Sequence, residues 1–125
     1  MASLVEMLKE MAGEIPGFIA SDIVGMDGVS IAAYSLDPKF NAELSCAQYA
    51  MVLRLVQKTA SQLGAGNVED NLTTSDKTYI LVRYIGDGSY YLGIVVDKAN
   101  ASLGNVRLIA RQHTDALWAA IPKRR

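Results

Sequence analysis

The feature that most constrains this chain is a long periodic segment between two sets of turn-joined strands. From Asn41 to Leu63 the sequence runs without glycine or proline, with Asp37-Pro38 before it and Gly64-Ala65-Gly66 after it. Such a run predicts one central helix, because glycine past the end is a natural stop and proline before it cannot sit inside. Ahead of it, Phe18 to Val24 and Val29 to Tyr34 read as strands joined at Met26-Asp27-Gly28. An Asp-Gly pair between β-rich runs is a strong hairpin signal, since glycine tolerates the positive φ that tight turns demand. Behind it, Val68 to Thr74, Tyr79 to Tyr84 and Tyr90 to Val96 read as three strands, the last two joined at Gly86-Asp87-Gly88.

A short amphipathic helix opens the chain. Leu4, Val5, Met7, Leu8 and Met11 recur at helical spacing, Ser3 is the expected N-cap with Glu6 three residues on, and Gly13 and Pro16 end the run. A last helix begins near Ser102, carries Leu103, Val106, Leu108, Ile109, Leu117 and Trp118, and is limited by Pro122. The order is α-β-β-α-β-β-β-α. Antiparallel strands joined by short turns, with helices to cover them, predict an α+β domain built on one antiparallel sheet. At 125 residues, with no repeat, linker or low-complexity tract, residues 1–125 are read as a single domain.

Charge and composition exclude several functions. Twelve basic and thirteen acidic residues give a net charge of −1, so no broad positive field exists to neutralise phosphates, and nucleic acid is not expected as a partner. The basic cluster Lys123-Arg124-Arg125 is read as a solvated tail. The start of the chain lacks a secretory pattern, and no apolar run approaches the roughly 18 residues of a bilayer span, so membrane insertion is not expected. A lone cysteine, Cys46, fits a reducing, cytoplasmic setting.

Catalytic chemistry finds no constellation. No Gly-x-x-x-x-Gly-Lys-Ser/Thr loop is present, so the chain is not itself a phosphate-loop GTPase. His113 and Cys46 are single residues of their types, which leaves no metal-ligand set. His113 and Asp115 lie two apart on a helix and point in different directions, while Glu69 and Asp70 are adjacent on a strand and face opposite ways. Cys46 has no neighbouring base or cation to activate it and reads as a small buried side chain. The expectation is a non-catalytic protein without cofactor or metal.

The central helix carries more apolar surface than one face needs. Advancing about 100° per residue groups Cys46, Tyr49, Val52, Leu53, Val56, Ala60 and Leu63 on the side expected to meet the sheet, with Glu43, Arg54, Gln57, Lys58 and Ser61 opposite. Leu44, Met51 and Leu55 form a second apolar flank. The strand from Val68 to Thr74 reads as polar on both faces, as a sheet edge does. Two unsatisfied surfaces together predict a homodimer whose interface takes in Leu44, Met51, Leu55, Val68, Asp70, Leu72 and Thr74.

Three stretches resemble the Roadblock family: Ile15-Pro16-Gly17-Phe18 before the first strand, Val24-Gly25-Met26-Asp27-Gly28-Val29-Ser30-Ile31-Ala32 through the hairpin, and Ala99-Asn100-Ala101-Ser102-Leu103-Gly104-Asn105-Val106-Arg107 opening the last helix. Their joint spacing, over essentially the whole chain, carries the likeness, which is nearest to the bacterial MglB-like regulators. The resemblance implies a five-stranded antiparallel sheet with the long helix on one face and the two terminal helices on the other. It implies dimers whose sheets join, and a Ras-like small GTPase as partner, whose hydrolysis is stimulated without an inserted arginine finger. Glu43, Arg54, Gln57 and Lys58 are the candidate contacts to that partner. The competing readings are a structural adaptor indifferent to nucleotide and a small-ligand sensor. The sensor would need a sizeable cavity, and Gly93, Ala32 and Ala33 serve as well for close helix packing.

Overall fold

A computed structural model describes residues 3–39 and 42–122, the side chains of 42–46 excepted. The elements are α1 (Leu4–Ala12), β1 (Phe18–Gly25), β2 (Ser30–Ser35), α2 (Ala42–Gln62), β3 (Asp70–Thr74), β4 (Thr78–Ile85), β5 (Tyr90–Asp97) and α3 (Leu103–Ala120). The five strands form one antiparallel sheet in the order β2-β1-β5-β4-β3. The expected element order and sheet are both present.

Local chemistry accounts for the ends. Ser3 Oγ accepts from the Glu6 amide at 3.2 Å and Ser102 Oγ from the Asn105 amide at 3.4 Å, so each terminal helix starts on a serine that satisfies an otherwise orphaned N–H. Gly28 sits at φ 89° in the β1–β2 turn, a conformation that L side chains rarely adopt, and a Cβ there would lie 3.1 Å from the Ala47 Cα of α2. The hairpin turn and the start of the central helix therefore meet backbone against backbone.

The sheet is covered on both faces, and successive residues along each strand serve opposite layers. Leu81, Ile85, Leu92, Ile94 and Val96 face α1 and α3, where they pack with Leu8, Met11, Val106, Ala110 and Leu117. Val24, Val82 and Tyr91 face the other way and meet Ala50 and Leu53 of α2. The long helix thus lies on one face and the terminal helices on the other. No described helix is long and apolar enough to cross a membrane.

Two expectations about the central helix and the edge strand are corrected. Leu53 is 0% exposed and Ala50 is also buried, but Val52 is exposed and Leu63 is 77% exposed, so neither belongs to the core stripe. Both sit roughly 80–100° round the helix from Leu53, beyond the strip that the sheet can cover. The edge strand starts at Asp70 rather than Val68. It is also not polar on both faces, for Leu72 packs against the core under α1 and α3. Cys46, and the tail Lys123-Arg124-Arg125, lie outside the described residues or side chains.

Candidate functional site: the outer flank of the central helix and the free edge of the sheet

The sheet order leaves β3 at an edge. The amide of Tyr84 donates to the carbonyl of Glu69, and the register then alternates along Asp70↔Arg83, Asn71↔Val82, Leu72↔Leu81, Thr73↔Ile80 and Thr74↔Tyr79. In an antiparallel ladder this alternation turns the main-chain groups of Asn71 and Thr73 toward β4 and those of Asp70, Leu72 and Thr74 outward. Their outward N–H and C=O groups form a template for a further strand.

The side chains of β3 are already engaged. Asp70 accepts from Arg107 Nε at 3.2 Å and Arg107 Nη2 at 3.3 Å, a two-pronged pair that ties the edge to α3. On the opposite face the Tyr49 hydroxyl donates to Thr73 Oγ1 at 3.4 Å, linking β3 to α2. Asp70, Leu72 and Thr74 therefore offer the edge their backbone, while their side chains turn to the α3 layer.

On α2, Met51 is 69% and Leu55 64% exposed, and Val52 joins them on the same flank. An apolar strip of this extent on a helix already packed on its other side is left without a cover within the described chain. Leu44 and Glu43 fall among the side chains outside the description. The candidate polar contacts separate. Lys58 is exposed. Arg54 donates from Nη2 to the main-chain carbonyl of Met26 in the β1–β2 turn, and so is held against the hairpin. Gln57 is half-buried: its Oε1 accepts from the Val68 amide at 3.0 Å and its Nε2 donates to Ser61 Oγ at 3.2 Å, clamping the connection from α2 to β3. Its placement on the outer face is corrected, since it stands roughly 40° round the helix from the fully buried Leu53.

One buried carboxylate went unread in the sequence. Asp22, in the middle of β1, is buried beneath α2 and stands opposite Gly93 of β5. A Cβ at Gly93 would lie 2.4 Å from Asp22 Oδ1, so the glycine makes room for the carboxylate rather than for a helix. Of the other small residues, Ala32 is buried on the α1 and α3 side and Ala33 is exposed. The signal was an acid flanked by Ile23 and Val24 in an otherwise apolar run, but its meaning depends on the register with β5. The space beneath α2 next to Asp22, Tyr49, Tyr91 and Gly93 is about 80 Å³, well under the roughly 300 Å³ at which ligand pockets begin. His113, read as an ordinary helix residue, has its Nε2 2.5 Å from Glu14 Oε2 and joins α3 to the segment after α1.

A five-stranded sheet in the order 2-1-5-4-3, with one long helix on one face and both terminal helices on the other, is shared with known structures. The Roadblock/LC7 domain of Streptomyces avermitilis superposes with a TM-score of 0.75 at 17% identity, covering 93% of this chain and 98% of that one. This chain has the Roadblock fold. The gliding protein MglB of Thermus thermophilus gives a TM-score of 0.83 at 22% identity, covering 94% of this chain and 87% of MglB. Likeness at such identities is one of fold. In sequence, an uncharacterized protein of Methanocaldococcus jannaschii is 27% identical over 103 residues, which is 82% of this chain and 87% of the relative. No family model matches the chain. The β3 segment is tied to α2 by the Tyr49–Thr73 hydrogen bond and by the return of Val68 to Gln57.

Proposed function

We propose that two copies of this chain join edge to edge through β3 and pack their α2 flanks together, and that the dimer binds a Ras-like small GTPase as a non-catalytic regulator. What supports the first half is that α2 exposes Met51 and Leu55 while β3 ends the sheet with an unpaired edge. A two-fold axis beside β3 would satisfy the outward backbone groups and cover both apolar flanks with a single self-complementary contact. The GTPase half rests on the Roadblock resemblance and on the shared fold. In this reading the dimer works in the cytoplasm and supplies no nucleophile, base or metal. It acts on the partner's bound GTP by binding one switch conformation more tightly than the other. In this reading Lys58, exposed one to two turns beyond Leu55 and Met51 on α2, is the candidate contact left to meet the partner at the margin of the dimer.

The test is capture of the Ras-like GTPase encoded nearest to this gene, loaded with GTP or with GDP, by the immobilised protein. Preferential capture of one nucleotide state is the expected result. Equal capture in both states would assign the dimer to the adaptor role, and negligible capture in both would remove the GTPase from the proposal.

A further inference from the structure

We propose that Asn71 and Thr73 of β3 are the residues by which one copy of this chain recognises and aligns a second, and that they place the two-fold axis at Leu72. The inference rests on the edge-to-edge dimer and fixes its register. An axis that continues the sheet and keeps both α2 helices on one face runs normal to the sheet, so the two β3 strands pair antiparallel. In such a pair an outward-facing residue meets another outward-facing residue, and the couple exchanges both N–H···O=C bonds. The outward main-chain groups are those of Asp70, Leu72 and Thr74. With Leu72 opposite Leu72 of the second copy, Asp70 meets Thr74 and every outward group is used. An axis at Asn71 sets Thr74 opposite Val68, whose amide is already given to Gln57 Oε1. An axis at Thr73 sets Asp70 opposite Asp76, in the turn beyond the strand, and one at Asp70 brings two carboxylates face to face.

The side chains on the α2 face select the same register. Strand alternation sends Asn71 and Thr73 to that face, where the Tyr49 hydroxyl donates to Thr73 Oγ1 at 3.4 Å. Having accepted from Tyr49, the Thr73 hydroxyl keeps its own proton to donate. The Asn71 amide makes no hydrogen bond among the described residues. With the axis at Leu72, Asn71 stands opposite Thr73 of the second copy at a non-hydrogen-bonded position, where Cα atoms are about 4.5 Å apart and side chains are closest. The Thr73 hydroxyl then donates to Asn71 Oδ1 across the joint, and symmetry makes the contact in both directions. The occupant is a second copy because β3 itself carries both halves of the contact, two residues apart.

Single cysteines read the axis. In the full-length Cys46→Ser protein under mild oxidation, Leu72→Cys should link to itself, Asn71→Cys and Thr73→Cys should not, and a mixture of those two should. Disulfides close between Cα atoms about 4.4–6.8 Å apart, whereas Asn71 to Asn71 is a diagonal of about 7–8 Å. The mixture keeps the test decisive if Leu72→Cys, whose side chain packs against the core, does not fold. Asn71→Ala should weaken the dimer about tenfold through loss of the symmetric pair of hydrogen bonds, and an unchanged affinity overturns its role. Self-linking of Asn71→Cys or Thr73→Cys overturns this register and leaves the dimer standing. A dimer by ultracentrifugation in which neither Leu72→Cys nor the mixture links overturns the edge pairing, and a wild type that stays monomeric removes dimer and register together.

Discussion

The phenolic hydroxyl of Tyr84 on β4 donates a 2.8 Å hydrogen bond to the main-chain carbonyl of Leu53 in the middle of α2. Among the described residues, Ala50 and Leu53 are the buried side chains of the central helix that meet Val24, Val82 and Tyr91 of the sheet. A hydrogen bond at the centre of this contact fixes the helix in position as well as adding to its stability.

Tyr84→Phe should therefore lower unfolding free energy by about 1 kcal/mol, measured by urea denaturation near neutral pH. The same substitution should change the alkaline limb. Burial pushes the Tyr84 phenol above its ordinary value of 10.0. The folded state then holds the proton more tightly than the unfolded state, so the contribution is complete below pH 10 and is lost as pH rises through the folded value. Wild type should lose stability more steeply above pH 10 than Tyr84→Phe; parallel slopes would show that this phenol is not the group responsible.

Gly93 and Asp22 form a coupled pair. Gly93→Ala places a methyl where the Asp22 carboxylate stands and should cost about 1–3 kcal/mol. In an Asp22→Ala background the added methyl has room, and its cost should fall below about 1 kcal/mol. The double-mutant cycle reads the difference, and additive effects would mean that the backbone, not the carboxylate, resists the change.

For the proposed dimer, Met51→Glu sets a charge on the apolar flank and should weaken self-association at least tenfold, because the interface would bury it unpaired. Analytical ultracentrifugation of wild type should give twice the chain mass. A wild-type protein that stays monomeric at high micromolar concentration removes the dimer.

Arg54 is the natural finger candidate on α2, yet its guanidinium is committed to the Met26 carbonyl. With a GTPase partner in hand, single-turnover hydrolysis at saturating Arg54→Ala protein should stay within about tenfold of wild type. An inserted finger would instead lose about 10³-fold or more, not rescued by concentration.

The turns and helix ends were legible because their chemistry is local: Asp27-Gly28 closes a hairpin, Ser3 and Ser102 cap helices, and Gly64-Ala65-Gly66 follows the end of α2. What escaped was non-local. A helical wheel shows that Val52 and Leu63 lean toward the apolar side of α2, but not how wide a strip the sheet covers. Gln57 looks like surface until the Val68 amide returns to it. Asp22 acquires its meaning only when β5 sets Gly93 opposite, and His113 only when the chain brings Glu14 to it. The exposed flank Met51 and Leu55 was readable because an apolar surplus is a property of one helix alone.

The β1–β2 register shifts between Ile23 and Val24, leaving Ile31 as the added residue of a bulge, and this bears on what a sheet with two edges must avoid. If β3 is taken up by a second copy, both ends of the joined sheet are β2 strands. A regular β2 would invite a third copy, then a fourth, and the assembly would grow as a fibre. The shifted register opposite Ile23 and Val24 breaks the even spacing that continued growth needs, and β2 is six residues long. In such a dimer the same irregularity would act as a terminator, keeping the joined sheet to a finite size.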